Sequence, residues 1–256
     1  MSDLSHLVEE SKDPRGKQLA GRRLALDVPV QHGGSLPWEE GIRSVARYTA
    51  AMLESLGASV LLTEGSSASE SVEERARAIE AHRAEILICL RAGRHASTHI
   101  RGLRALTPGL YLWRNRKLAE SLLGRVSDRT GLPSRGIPLW PWFPPDADAL
   151  MRRARPTCVV FECGCLTCPA DELLMSRRAF QMRCAYGLVE GILRFLGVVE
   201  TDSLSLYPVE EGLESEPVAA EPEPEPEPEP VAAEPEPEPE PEPVAAEPEP
   251  EPEPEP

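Results

Sequence analysis

Glu162 is the residue of this chain around which chemistry can be built. It follows a five-residue apolar, β-branched run, Thr157 to Phe161, with Pro156 before it, and that pattern reads as a buried central strand. The strand therefore delivers one carboxylate to its carboxyl end, the edge of an open α/β sheet at which ligands collect. A carboxylate there is costly to ionise unless a metal, an arginine or a substrate proton compensates it. The plain alternative is a Glu that caps the next helix or pairs with an Arg. Beyond Glu162 the chain leaves through a loop holding Cys163, Cys165 and Cys168. Pro169 then opens a helix whose first turn carries Asp171 and Glu172.

The elements that must position this edge follow in order. Leu24 to Val28 reads as a strand, and the turn formers of PVQHGGSLPW make a loop after it. From Glu39 to about Leu56 a helix is expected, with Ile42, Val45, Ala46, Thr49, Met52, Leu53 and Leu56 on one face and Gly57 as its stop. Ser59 to Thr63 is a second strand, Ser71 with Glu74 forms a capping box for a helix through about His82, and Glu85 to Leu90 is a third strand. A basic loop, RAGRHASTHIRGLR, leads to a fourth strand at Gly109 to Trp113. Asn115 to Thr130 is helical, a short helix is expected near Ala147 to Arg153, and the last long helix runs from about Ala170 to Phe195. Strands alternating with helices predict an α/β fold, a three-layer, twisted, mostly parallel sheet with helices on both faces.

Charge divides the 256-residue chain. From Val209 onward run three copies of VAAEPEPEPEPEP, starting at Val218, Val231 and Val244. Alternating Glu and Pro can form neither helix nor ladder and has nothing to bury, so residues 209–256 are expected to be a disordered acidic tail, an extended rod on the order of 120 Å across the repeats. Nineteen of the 43 acidic residues lie in it, which leaves 24 against 27 basic ones in residues 1–208. The net charge of −16 thus describes the tail and not the domain. Residues 1–20 read as a polar lead, without the apolar core a signal peptide needs, and residues 21–200 as one domain. No segment is long and apolar enough to span a bilayer, and six cysteines, two of them in expected buried strands, fit a reducing compartment, so a cytoplasmic protein is expected. A nucleic-acid partner is not expected, because no aromatic stacking platform accompanies the basic loop.

In this order the pieces resemble a known family. VEERARAIEAHRAEILICLRA (72–92) is similar to the LxxRxxxANxxxADLFISIHAN segment of the zinc-dependent N-acetylmuramoyl-L-alanine amidases, the peptidoglycan-cleaving hydrolases with a DPGHGG opening, and CVVFECGCLTCPADE (158–172) is similar to their AVLVExGFLSNPxDE. The helix from Glu39 followed by GASVLLT fits the same family, and the likeness runs from about Leu24 to Leu196. It implies an amidase-type fold and a zinc ion held by His, Glu and His, with a Glu on the final strand as general base and acid.

Carried over residue by residue, Glu162 falls on the catalytic Glu and Glu39, with Glu40 beside it, on the zinc Glu. His32 reaches the first His position only if two residues are inserted, since the ungapped register puts Val30 there. Arg91 stands at the second His position, and an Arg does not bind zinc. Three readings follow. His95 or His99 folds back to complete the zinc site; Cys163, Cys165 and Cys168 supply thiolates; or Arg91 replaces the metal and pairs with Glu162 or Glu39. The resemblance implies hydrolysis of the amide bond between muramic acid and the stem peptide of peptidoglycan. The alternative is a non-catalytic module that binds a muropeptide or a protein partner, with Arg91 as an anion contact and the acidic tail as an interaction arm.

Overall fold

The computed structural model describes residues 18–29, 36–64, 71–108, 113–138, 150–151 and 156–198. Within them the alternation of apolar runs and amphipathic stretches becomes β1 (Arg23–Val28), α1 (Pro37–Ser55), β2 (Ser59–Glu64), α2 (Val72–His82), β3 (Ile86–Gly93), β4 (Arg104–Leu106), α3 (Trp113–Thr130), β5 (Thr157–Cys165), α4 (Pro169–Ser176) and α5 (Arg178–Leu196). The sheet order is β2-β1-β3-β5-β4. The first four strands in that order run parallel, and the short edge strand β4 is antiparallel to β5.

Side chains alternate across a strand, so the burial pattern assigns each strand residue to a face. Leu24, Leu26 and Val28, then Ile86, Ile88, Leu90 and Ala92, then Val159, Phe161 and Cys163 pack with α1, α3 and α5 in the larger core. Ala25, Leu87, Cys89, Cys158, Val160 and Leu106 form a second core with Ile79 of α2 and with Leu150 and Met151. Helices thus cover both faces of a mostly parallel sheet, as the alternation predicts. Asp27, Arg91, Arg104 and Glu162 have the parity of the second, smaller core.

Local chemistry sets the boundaries. The capping box at Ser71 is present in full: Ser71 Oγ accepts from the Glu74 N–H at 3.2 Å and Glu74 Oε2 accepts from the Ser71 N–H at 2.8 Å. Gly57 follows α1 with φ 91, a left-handed conformation that suits Gly. The expected single helix from Ala170 to Phe195 is two helices, broken at Arg177, whose backbone is extended. The Gln181 amide donates to the Met175 carbonyl at 3.1 Å, so a side chain satisfies a group the break leaves open.

Of the strand expected at Gly109 to Trp113, residues 109–112 lie outside the described ones and Trp113 opens α3; among the described residues the fourth strand in chain order is Arg104–Leu106. Of the short helix expected near Ala147 to Arg153, only Leu150 and Met151 are described, and they are helical. The polar lead to residue 17, His32 and the tail from 209 lie outside the described residues.

Candidate active site

Three neighbouring positions in one row of the sheet make up the site. In the ladder Arg91 of β3 pairs with Glu162 of β5, and Glu162 pairs in turn with Arg104 of β4. Paired residues in adjacent strands lie roughly 5 Å apart at Cα, so this row reads Arg, Glu, Arg, with opposite charges side by side. A fourth member arrives from outside the named strands. Residues 133–136 run along β4, with the Leu103 N–H donating to the Pro133 carbonyl at 2.9 Å and the Arg135 N–H to the Leu103 carbonyl at 2.7 Å. From there Arg135 Nε donates to the Gly102 carbonyl at 3.2 Å and Nη2 to Glu162 Oε2 at 2.7 Å. The guanidinium and the carboxylate are both largely buried, at 13% and 7% side-chain exposure, which makes this ion pair weakly screened by solvent.

Gly93 makes room for that pair. A Cβ there would overlap Glu162 Oε2 and lie 2.8 Å from Arg135 Nη2. Directly after Glu162 the ladder shifts, Arg91 pairing with Glu162 but Gly93 with Cys165, so β5 carries an extra residue. Bulges of this kind turn a strand at sites of function. Burial pushes the Glu162 carboxyl above its ordinary value of 4.5, and Arg135, Arg104 and Arg91 pull it back only in part. A carboxyl so placed is suited to taking and returning a proton.

Beneath this row lies a second buried charge. Asp27, fully buried near the end of β1, pairs with Arg75 of α2 at 2.9 Å and accepts from Thr63 Oγ1 at 2.7 Å and from the Cys89 thiol at 3.3 Å. It joins three strands and a helix near the end of β1. Asp171, also fully buried, accepts from the Gly102 N–H at 2.6 Å and the Cys165 N–H at 3.0 Å and pairs with Arg101 at 3.3 Å.

The candidate ligands that are described differ in their surroundings. Glu39 is buried in the first turn of α1, while Glu40 is turned outward to Arg43 at 3.3 Å and Arg47 at 2.8 Å, so the two neighbours are not interchangeable. His95 is exposed; its Nδ1 accepts from the Ser97 N–H at 3.0 Å and its own N–H donates to Thr167 Oγ1 at 3.2 Å. His99 is exposed on the same loop. The cysteines do not act as one group. Cys163 lies in the larger core, where a hydrogen bond with Cys184, then burial, pushes its thiol well up, and Cys165 shares a hydrogen bond with Thr167 Oγ1 at 3.2 Å.

Arg135 is the residue that sequence reasoning missed, and Arg104 stands in the sequence only as part of a basic loop. The available signal was the Pro-Ser-Arg-Gly turn after α3, a segment that must fold back because the strand it leads toward lies inside the sheet. The basic loop itself is divided. Arg91 and Arg104 are strand residues, and Arg101 is tied to Asp171.

Comparison with known proteins places the fold. Residues 39–194 match the Amidase_3 family, N-acetylmuramoyl-L-alanine amidase. The chain belongs to this amidase family. Among solved structures, an N-acetylmuramoyl-L-alanine amidase from Clostridium difficile 630 superposes with a TM-score of 0.59 at 17% identity, covering 69% of this chain and 98% of that one. The CwlD amidase from Clostridioides difficile, solved in complex with the GerS lipoprotein, gives 0.60 at 16%, covering 70% and 100%. Ami1 from Mycobacterium smegmatis gives 0.58 at 20%, covering 71% and 99%. Identities this low establish the amidase fold and nothing finer. No curated protein matches the chain significantly.

The amidase family is generally zinc-dependent, and the described part of this amidase domain does not fit a zinc ion. Among the described residues no three His, Cys, Asp or Glu side chains come together in a way that would hold a metal. Arg91 occupies the row next to Glu162, and Glu162 Oε2 is taken by Arg135.

Proposed function

We propose that this chain is a hydrolase of the muramoyl–L-alanine amide bond of peptidoglycan, with Glu162 as the group that moves the proton. The observation that carries the reading is Glu162 itself: a buried carboxyl with a raised pKa at the carboxyl edge of the sheet, inside the matched amidase segment. Amide hydrolysis needs a base to deprotonate water, positive charge facing the developing oxyanion and an acid to protonate the leaving nitrogen. Glu162 serves for the first and third. The guanidinium groups of Arg91 and Arg104 flank it in the sheet for the second. A peptidoglycan fragment is the expected ligand. A protein partner is the second kind, supported by the complex of the CwlD amidase with the GerS lipoprotein. Among the described residues no helix is long and apolar enough to cross a membrane.

The test is turnover of a muropeptide with the full chain. Glu162→Gln keeps the shape and loses the proton, and the rate should fall by about 10²–10⁴-fold. A wild-type rate unchanged by this substitution refutes the role of Glu162. The other outcome of the same test is a site that holds the muropeptide without cleaving it. Saturable binding with no cleavage product by mass spectrometry would decide for it.

A further inference from the structure

We infer that Arg91, Arg104 and Arg135 stand in place of the divalent metal at Glu162, so that this amidase site is built without zinc. The inference deepens the proposed hydrolysis and rests on it only for the fate of substrate; its structural half stands alone. Three observations carry it. First, the cations come from three separate elements, β3, β4 and the segment beside β4, and all act on one carboxylate. Second, the room beside the pair is filled on the Gly93 side. Glu162 Oε2 and Arg135 Nη2 fill the volume that any side chain at Gly93 would need. Third, Arg135 is itself held at Nε by the Gly102 carbonyl, whose own N–H is held by Asp171. A guanidinium fixed at both ends is a permanent part of the site, and it remains charged at every accessible pH.

Guanidinium groups can do part of what a metal does and not the rest. They present fixed positive charge and donor hydrogens to a developing oxyanion, which is the electrostatic share of catalysis. They do not acidify water, so the base must act on water of ordinary pKa, and a carboxyl raised by burial is the stronger base for that purpose. Such a site should be slower than a metal-dependent one and indifferent to chelators.

The experiment uses the full-length purified chain. Metal content by mass spectrometry should be far below one zinc per chain, and neither EDTA nor added zinc should shift the unfolding midpoint, since a ligand that binds only the folded state raises it by mass action. The Glu162 carboxyl, followed by carbon NMR, should titrate identically with and without EDTA and move upward in Arg135→Gln. Arg135→Lys keeps the charge and should move it less, which covers the case in which the Gln variant fails to fold. Stoichiometric zinc, a midpoint lowered by EDTA or a Glu162 titration that shifts on chelation would each overturn the inference. Turnover is scored separately: an EDTA-resistant rate supports both readings. Absence of any rate in a zinc-free, chelator-indifferent protein removes the hydrolysis and leaves the arginine site standing.

Discussion

At Glu162 two opposing effects meet, and their balance has a sign that can be measured. Desolvation is the larger and raises the carboxyl above 4.5, while Arg135, Arg104 and Arg91 lower it. A raised folded value means that the native state keeps a proton the unfolded chain has released. The stability this contributes is complete below about 4.5 and is lost as pH rises through the folded value. Wild type and Glu162→Gln should therefore diverge, with the melting-temperature difference, wild type minus variant, falling from acid to neutral pH. A flat or rising difference would show that the arginines outweigh burial. Asp27 presents the opposite case, a buried carboxylate with a full set of partners. Asp27→Ala strands Arg75, which is 6% exposed, and should cost about 3–5 kcal/mol in urea unfolding. Sequence reasoning found Glu162 because an acidic residue ending an apolar strand is conspicuous. It did not find Arg135, whose place depends on pairing between residues 133–136 and β4, a contact whose one trace in the sequence is the Pro-Ser-Arg-Gly turn and not a periodic pattern.

At the scale of elements, the helices that back the sheet are set by how closely they approach. Gly187 and Gly191 of α5 face α3 so tightly that an added Cβ would lie 2.6 Å from Val126 Cα and 2.9 Å from Leu122 Cα. Gly→Ala inside a helix ordinarily gains about 1 kcal/mol. Here the clash is with backbone and should outweigh that gain, so Gly187→Ala is expected to lose about 1–3 kcal/mol, read from chemical denaturation. Gly191→Ala, with its nearest atoms slightly farther off, should lose less. The same two helices are joined by Arg129 and the buried Glu190. Strand and helix starts were legible because each has a local cause: the Ser71 box, Pro in the first turn of α1 and α4, apolar runs in β1, β3 and β5. The break at Arg177 was not, because no Pro or Gly stands there and the compensating bond from Gln181 is a side-chain choice made in the fold.

For the whole molecule, the expected division into a domain and an acidic tail gives a simple measurement. Residues 209–256 carry three Glu-Pro repeats and no aromatic side chain. Removing them should leave the melting temperature of the rest within about 2 °C, which for a domain of this size corresponds to under about 1 kcal/mol. A larger drop would show that the repeats contribute to folding. The fold class was readable because βαβ alternation leaves few arrangements open. The antiparallel edge was not readable, because β4 has only three residues, too few for a pattern.

Asp171 gives the site an unexpected lever. Its carboxylate holds the Gly102 amide, the Gly102 carbonyl holds Arg135 Nε, and Arg135 holds Glu162. These bonds form a linkage in series from the start of α4 to the proton-moving group, passing through backbone that carries no chemistry of its own. Whatever presses on α4 or on the adjoining loop, a docked partner or a bound glycan strand, can thereby tune the basicity of Glu162 without touching it.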